Sequence, residues 1–197
     1  MRNKCAQLIS FGRRHAGLLV LLTIYLAATL AYGFLNPLGE GPDEVANIEL
    51  ISFISQKGHL PRTYAERQAA GYKSDWPMLL YHAPVGMATR WIDYDVLPQL
   101  KELDNHDPRR LLVEDDFAHF ALIHTDDEAF PYQGIVLLWH LARVVATLFS
   151  AAALVVIYFT VLAIRPGDRS LALGAAAVAV TLPEFNFLAQ GFRVKGH

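Results

Sequence analysis

Apolar residues are concentrated in three blocks of this 197-residue chain, and polar segments separate the blocks. The first block, residues 16–35, carries no charge and has about the twenty residues that a helix needs to cross the hydrocarbon core of a bilayer. The second block, 135–164, and the third, 171–190, are also long enough for membrane helices. The pattern therefore predicts an all-α, polytopic membrane protein with about three transmembrane helices.

The polar segment between the first two blocks, residues 36–134, is predicted to be a large and mostly helical extracytoplasmic loop. Pro42 followed by two acidic residues is typical of a helix start. A broad apolar stripe then runs to Gly58, and it is expected to rest on the membrane or on neighbouring helices. A second amphipathic element is predicted over residues 81–91, broken near its start by Pro84. We find no alternation typical of β-strands.

Composition and charge agree with this topology. The chain is 53% hydrophobic with a mean hydropathy of +0.26, which is high for a soluble domain. The 36–134 loop has 8 Lys and Arg against 17 Asp and Glu, so its formal charge is 8 − 17 = −9. Basic residues flank the predicted cytoplasmic ends instead, and these are Arg2, Lys4, Arg13, Arg14, Arg165 and Arg169.

The charge asymmetry predicts a cytoplasmic N-terminus over residues 1–15, a cytoplasmic link over 165–170 and a C-terminal tail over 191–197, in the cytoplasmic (inner) membrane. The alternative for the first block is a cleaved signal peptide, but the block is longer than the usual apolar core and no A-x-A site follows it. A single cysteine, Cys5, provides no disulfide framework.

Two kinds of candidate side chain, carboxylates and guanidinium groups, accompany this topology. Asp43 and Glu44 lie where the first predicted span meets water, a position suited either to chemistry on a lipid-borne substrate or to plain solvation of a loop. Arg143 lies inside the second block, where a charged residue is costly, so it is a candidate functional residue. Alternatively, it reaches water or a lipid phosphate. Arg143 and Arg90 can offer guanidinium donors to phosphate oxygens.

The order of these motifs resembles a known family. A basic start and one span are followed by P-D-E-x-x-N, an amphipathic helix closing in G-H-L-P, a Y-H-A-P segment, and a span opening with L-A-R-V-V-A. This order is similar to the N-terminal part of the GT-C type polytopic membrane glycosyltransferases, which include the protein mannosyltransferase and aminoarabinose transferase relatives. The resemblance covers residues 18–191, and its most specific part is the D-E pair.

The resemblance implies transfer of a sugar from a polyprenyl-phosphate donor on the extracytoplasmic face to a glycan, lipid or protein acceptor. It implies that Asp43 is a general base or metal partner with Glu44 beside it, and that Arg143 and His82 match substrate-binding positions. Mg or Mn bound by the two acids is the possible cofactor.

Three departures accompany the resemblance. Asn47 stands where many members carry histidine, Ala83 replaces a proline, and three spans are fewer than the family has, so the chain is expected to be a truncated copy. The alternative function is a non-catalytic membrane scaffold or regulatory protein with an acidic outer loop. Nucleic acid is not an expected partner, because the loop is acidic and has no basic patch.

Overall fold

The described part of the chain consists mainly of helices. The computed structural model describes residues 10, 12–39, 44–71, 79–93 and 126–182, and no strand occurs among them. Within these described ranges, the elements with defined bounds are six helices, α1 to α6, and one short 3₁₀ turn at Asp126–Glu128. The helices in chain order are Ala16–Leu35, Glu44–Lys57, Tyr64–Ala69, Leu79–Ala88, Gly134–Ile164 and Arg169–Thr181.

Helices α1, α5 and α6 pack together as one bundle. Tyr25 of α1 packs with Leu154 of α5 and Ala179 of α6 in one apolar cluster, and Leu18 and Tyr158 form the next cluster with the other two buried alanines of α6. The buried residues of α6 are Ala172, Ala176 and Ala179. Small residues on one face allow the close helix approach seen here.

Two of the described helices, α1 and α5, are long and apolar enough to cross a membrane. The bounds of α1 coincide with the predicted 16–35, and those of α5 differ by one residue from the predicted 135–164. Within the third predicted span, 171–190, helix α6 runs from Arg169 to Thr181 and ends at the extended Leu182, while residues 183–190 lie outside the described residues. At 1.5 Å per residue this helix is about 20 Å long, short of the ~30 Å hydrocarbon core.

Helix α5 has two parts that differ in their surroundings. Its 31 residues extend over about 46 Å. The first nine residues, 134–142, pack against the polar segment of the chain, and their buried members are Ile135, Val136, Leu138, Trp139, His140 and Ala142. The other part, residues 144–164, carries no charged side chain and is about 31 Å long. Arg143 stands between the two parts.

Helix α2 is the centre of the segment between α1 and α5. Ile48 and Ile51 pack on the start of α5 and on Val85 of α4, and Leu50 and Phe53 pack in a second cluster with Ala70. Apolar side chains are therefore buried on more than one face of α2. The apolar stripe of this helix was predicted to rest on the membrane or on neighbouring helices, and in the structure it packs on α4 and α5.

Helix α4 crosses α2 at close range. A Cβ atom added at Gly86 would lie 2.7 Å from the Cβ of Ile54 and 2.9 Å from the carbonyl oxygen of Ile51, so only glycine fits here without movement. The predicted break at Pro84 does not occur, because α4 continues through this exposed proline to Ala88.

The short helix α3 begins with a capping box. The Oγ1 of Thr63 accepts a hydrogen bond from the backbone N–H of Glu66, and Oε2 of Glu66 accepts from the backbone N–H groups of Thr63 and Arg62. These bonds to the carboxylate lower the pKa of Glu66 from its ordinary value of 4.5. Because the folded-state pKa is depressed, the Glu66 contribution is present above pH 4.5 and is lost as the pH falls through the lower value.

Thr63→Ala is expected to destabilise α3 by about 1 kcal/mol, since it removes the acceptor for the Glu66 N–H. Amide hydrogen exchange measures this directly. The amides of residues 66–69 should exchange several-fold faster, while those of α5 are unchanged. Equal exchange in parent and variant would mean that the capping box is not formed.

Candidate functional site

The centre of the candidate site is a buried ion pair between the start of α2 and the middle of α5. Nε of Arg143 donates to Oε1 of Glu44 at 2.7 Å, and Nη2 donates to Oε2 at 3.1 Å. The backbone N–H of Gly39 also donates to Oε2, at 2.9 Å. Arg143 is 4% exposed and Glu44 is 3% exposed. Two residues 99 positions apart are thus joined by the parallel two-bond geometry typical of strong arginine–carboxylate pairs.

The same guanidinium holds the end of α1. Nη1 of Arg143 donates to the carbonyl oxygens of Gly33 and Asn36, each at 2.7 Å, and Nη2 donates to that of Pro37 at 2.8 Å. Carbonyls at a helix C-terminus lack helical partners and lie at the negative end of the helix dipole. Arg143 therefore stabilises the C-terminal end of α1 as well as the start of α2. We call this arrangement, formed by Arg143, Glu44 and the backbone of residues 33–39, the clamp.

The clamp uses all the hydrogen-bonding capacity of the arginine. A guanidinium has five N–H donors, and each is accounted for by one of the five bonds just described. Both carboxylate oxygens of Glu44 also accept at least one bond. A substrate phosphate would have to displace an existing partner of Arg143 before it gained a donor from that side chain.

The same geometry bears on a metal site. A divalent cation on Glu44 would have to approach a carboxylate that already contacts a guanidinium at 2.7 Å. A metal ion at Glu44 would therefore share the carboxylate with Arg143 and with the Gly39 N–H, which together already occupy three of its lone pairs. No group of three or more potential metal ligands occurs within the described parts of the chain. Asp43, the other predicted ligand and the predicted base, lies outside the described residues.

Further polar contacts surround the clamp. The hydroxyl of Tyr81 donates to the carbonyl oxygen of Ala142 at 2.9 Å. Burial raises the pKa of Tyr81, the negative charge of Glu44 raises it further and Arg143 lowers it, so the phenol remains a neutral donor. Asn47 lies one helical turn after Glu44 on α2, and its Oδ1 is 3.0 Å from Nε2 of His82. His82 is 6% exposed, so it joins α4 to α2 inside the fold.

The structure does not bring Arg90 to the clamp. Its guanidinium lies over Gly58, about 3 Å from where a Cβ of that residue would stand. Gly58 follows the C-terminus of α2, fourteen residues and about 21 Å along the helix from Glu44. Arg90 is exposed, and its charge lies near the negative end of the α2 dipole.

An aromatic stack beside the clamp was not predicted from the sequence. The ring of His140 lies 3.9 Å from that of Tyr132 and 5.2 Å from that of Phe34, measured between centroids, with small interplanar angles. His140 is nearly fully buried. It precedes Arg143 by three residues, so both lie on the α1-facing side of α5. The three-residue spacing between His140 and Arg143 was the only sequence feature that could have placed His140 beside the clamp.

Comparison with known proteins gives no match: no family model, no curated protein and no solved structure is similar to the chain.

Proposed function

We propose that the chain is embedded in a membrane through α1 and α5. Both helices are long and apolar enough, and both expose large apolar side chains that soluble proteins seldom leave in water. Exposed examples are Val20, Ile24 and Leu35 of α1 and Leu148, Val156 and Ile164 of α5. The uncharged 144–164 part of α5 matches the ~30 Å hydrocarbon core in length. Arg143 then lies at one membrane boundary and Arg165 at the other.

We further propose that the clamp is on the extracytoplasmic side of the cytoplasmic membrane, with the acidic 36–134 segment outside and the basic N-terminus inside. The distribution of Lys and Arg supports this orientation. A reporter fused between Trp91 and Asp126 is expected to be active only outside the cytoplasm, and a cytoplasmic signal would reverse the orientation. Whether the third predicted span, 171–190, also crosses the membrane is tested by a second reporter, fused after residue 191.

The activity that we propose is transfer of a sugar from a polyprenyl phosphate, with Asp43 as the general base. The supporting observation is the clamp, because it fixes the residue next to Asp43 at the proposed membrane boundary. Asp43 would take the proton of the acceptor hydroxyl while the acceptor oxygen bonds to the sugar carbon and the bond from that carbon to the phosphate oxygen breaks. Polyprenyl phosphate leaves. Glu44 and Arg143 are positioning residues in this proposal.

Asp43→Ala is expected to abolish transfer, because it removes the base while the clamp residues remain. The measurement is release of polyprenyl phosphate from polyprenyl-phosphate mannose and polyprenyl-phosphate aminoarabinose by membranes that contain the active parent protein. Glu40→Ala, which removes another acid of the same segment, is the matched control and should retain activity. Equal turnover by Asp43→Ala and the parent would remove Asp43 from the mechanism.

One observation favours a second candidate function, that of a non-catalytic scaffold. Because every donor of Arg143 is used inside the fold, the clamp can exist purely to hold the outer segment in shape. A parent protein that is folded in membranes but turns over neither donor would favour the scaffold over the transferase.

A further inference from the structure

Helices α1 and α5 leave a small hollow between them beside the clamp. The centre of a water-sized sphere can occupy about 10 Å³ of this hollow. That volume is at the lower limit for holding one water molecule. The residues around it include Thr29, Gly33 and Phe34 of α1 and His140, Arg143 and Thr147 of α5. The hollow therefore has polar groups on both helices.

His140 has a buried polar atom that needs a hydrogen-bond partner in this hollow. It is 6% exposed, and within the described part of the chain its Nδ1 atom is fully buried with no hydrogen-bond partner. Buried polar atoms in native proteins nearly always have a partner, and where the protein supplies none an ordered water does. Neighbouring rings stack on His140, so a partner for Nδ1 must approach in the plane of the imidazole.

The surroundings also define the charge of the ligand. All five N–H donors of Arg143 are already bonded, and its positive charge is paired with Glu44. An anion in the hollow would find no free cationic donor, while a cation would lie against a guanidinium. The hydroxyl of Thr29 donates to the carbonyl of Tyr25, which leaves lone pairs of the hydroxyl oxygen able to accept. These groups suit a small neutral molecule that both donates and accepts.

We infer that the hollow between α1 and α5 binds one water molecule, which hydrogen-bonds to Nδ1 of His140 and to the hydroxyl oxygen of Thr29. This water bridges the two apolar helices beside the clamp. The inference rests on the packing of α1 and α5 and is independent of any transferase activity.

The test is transfer of polarisation from water protons to nitrogen-15 in the full chain, labelled at histidine and reconstituted in proteoliposomes, by solid-state NMR. The spectrum of His140→Gln identifies the His140 signal. Rapid transfer to Nδ1 of His140 is expected in the parent. Gly33→Ala should reduce that transfer several-fold, because the added methyl group takes the space of the water.

Gly33→Ala suits this test because a Cβ at residue 33 would lie 3.9 Å from the Cβ of Arg143, an ordinary contact, and the carbonyl that Arg143 binds is retained. Gly174→Ala, at a site with open space, is the control and should leave the transfer unchanged. Thr29→Val removes an acceptor at similar volume and should also weaken the transfer. Absence of transfer in the parent, or full transfer in both Gly33→Ala and Thr29→Val, would overturn the inference.

Discussion

We expect Arg143→Met to lower the free energy of unfolding by about 3–5 kcal/mol, the loss typical of removing one partner of a buried ion pair. The variant leaves the carboxylate of Glu44 buried at 3% exposure with only the Gly39 N–H, and it leaves the carbonyls of residues 33, 36 and 37 without their donor. Unfolding by SDS in mixed micelles, followed by circular dichroism, measures the loss.

Two matched variants separate this effect from a general loss of charge. Arg143→Lys keeps the charge but lacks the five-donor fork, so its stability should fall between those of the parent and Arg143→Met. Arg90→Met removes an exposed arginine and should change stability by less than about 1 kcal/mol. Equal losses of unfolding free energy for Arg90→Met and Arg143→Met would mean that the clamp contributes no more to stability than an exposed arginine does.

Gly86→Ala is the substitution with the second largest expected effect. Alanine favours a helix over glycine by about 1 kcal/mol, so the propensity alone predicts a gain in stability. The added Cβ would, however, stand 2.7 Å from the Cβ and Cγ2 of Ile54 and 2.9 Å from a backbone oxygen. Neither neighbour is the end of a flexible chain, so α4 must move away from α2. Overpacking of this kind costs about 1–3 kcal/mol, and we expect net destabilisation.

The control for this prediction is Gly174→Ala in α6. A Cβ at Gly174 has no neighbour within 4 Å, so only the propensity acts and stability should rise by up to about 1 kcal/mol. Opposite signs for the two substitutions in the same unfolding assay are the expected result. A gain in stability from Gly86→Ala would show that α2 and α4 are not packed as described.

The long helices are the part of the fold that the sequence predicts best. Long runs of mainly apolar residues define α1 and α5, with Arg143 as the one charged residue inside them, because length and composition alone decide whether such a segment can form a long apolar helix. Helix α6 ends at Thr181, two residues before Pro183, whose ring disfavours a helical conformation at Leu182, whereas the predicted span continued to residue 190. The continuation of α4 through Pro84 was also missed, because its exposed ring lies where the helix tolerates it.

The candidate site was predicted as separate residues rather than as an assembly. Glu44 and Arg143 were both singled out, yet nothing in a single sequence says that residues 99 positions apart form a pair. The roles suggested by residue type, a base and a phosphate ligand, assume free lone pairs and free donors. The backbone carbonyls at the end of α1, which occupy Arg143, have no sequence signature at all.

The central claim is that the contact between Glu44 and Arg143 joins the outer segment to the two apolar helices, and a double-mutant cycle tests it most directly. Unfolding free energies of the parent, Glu44→Gln, Arg143→Met and the double variant give the coupling between the two side chains. The account predicts a coupling of at least about 1.5 kcal/mol, so that the double variant is far less destabilised than the sum of the single variants. Additive losses, with a coupling near zero, would contradict it.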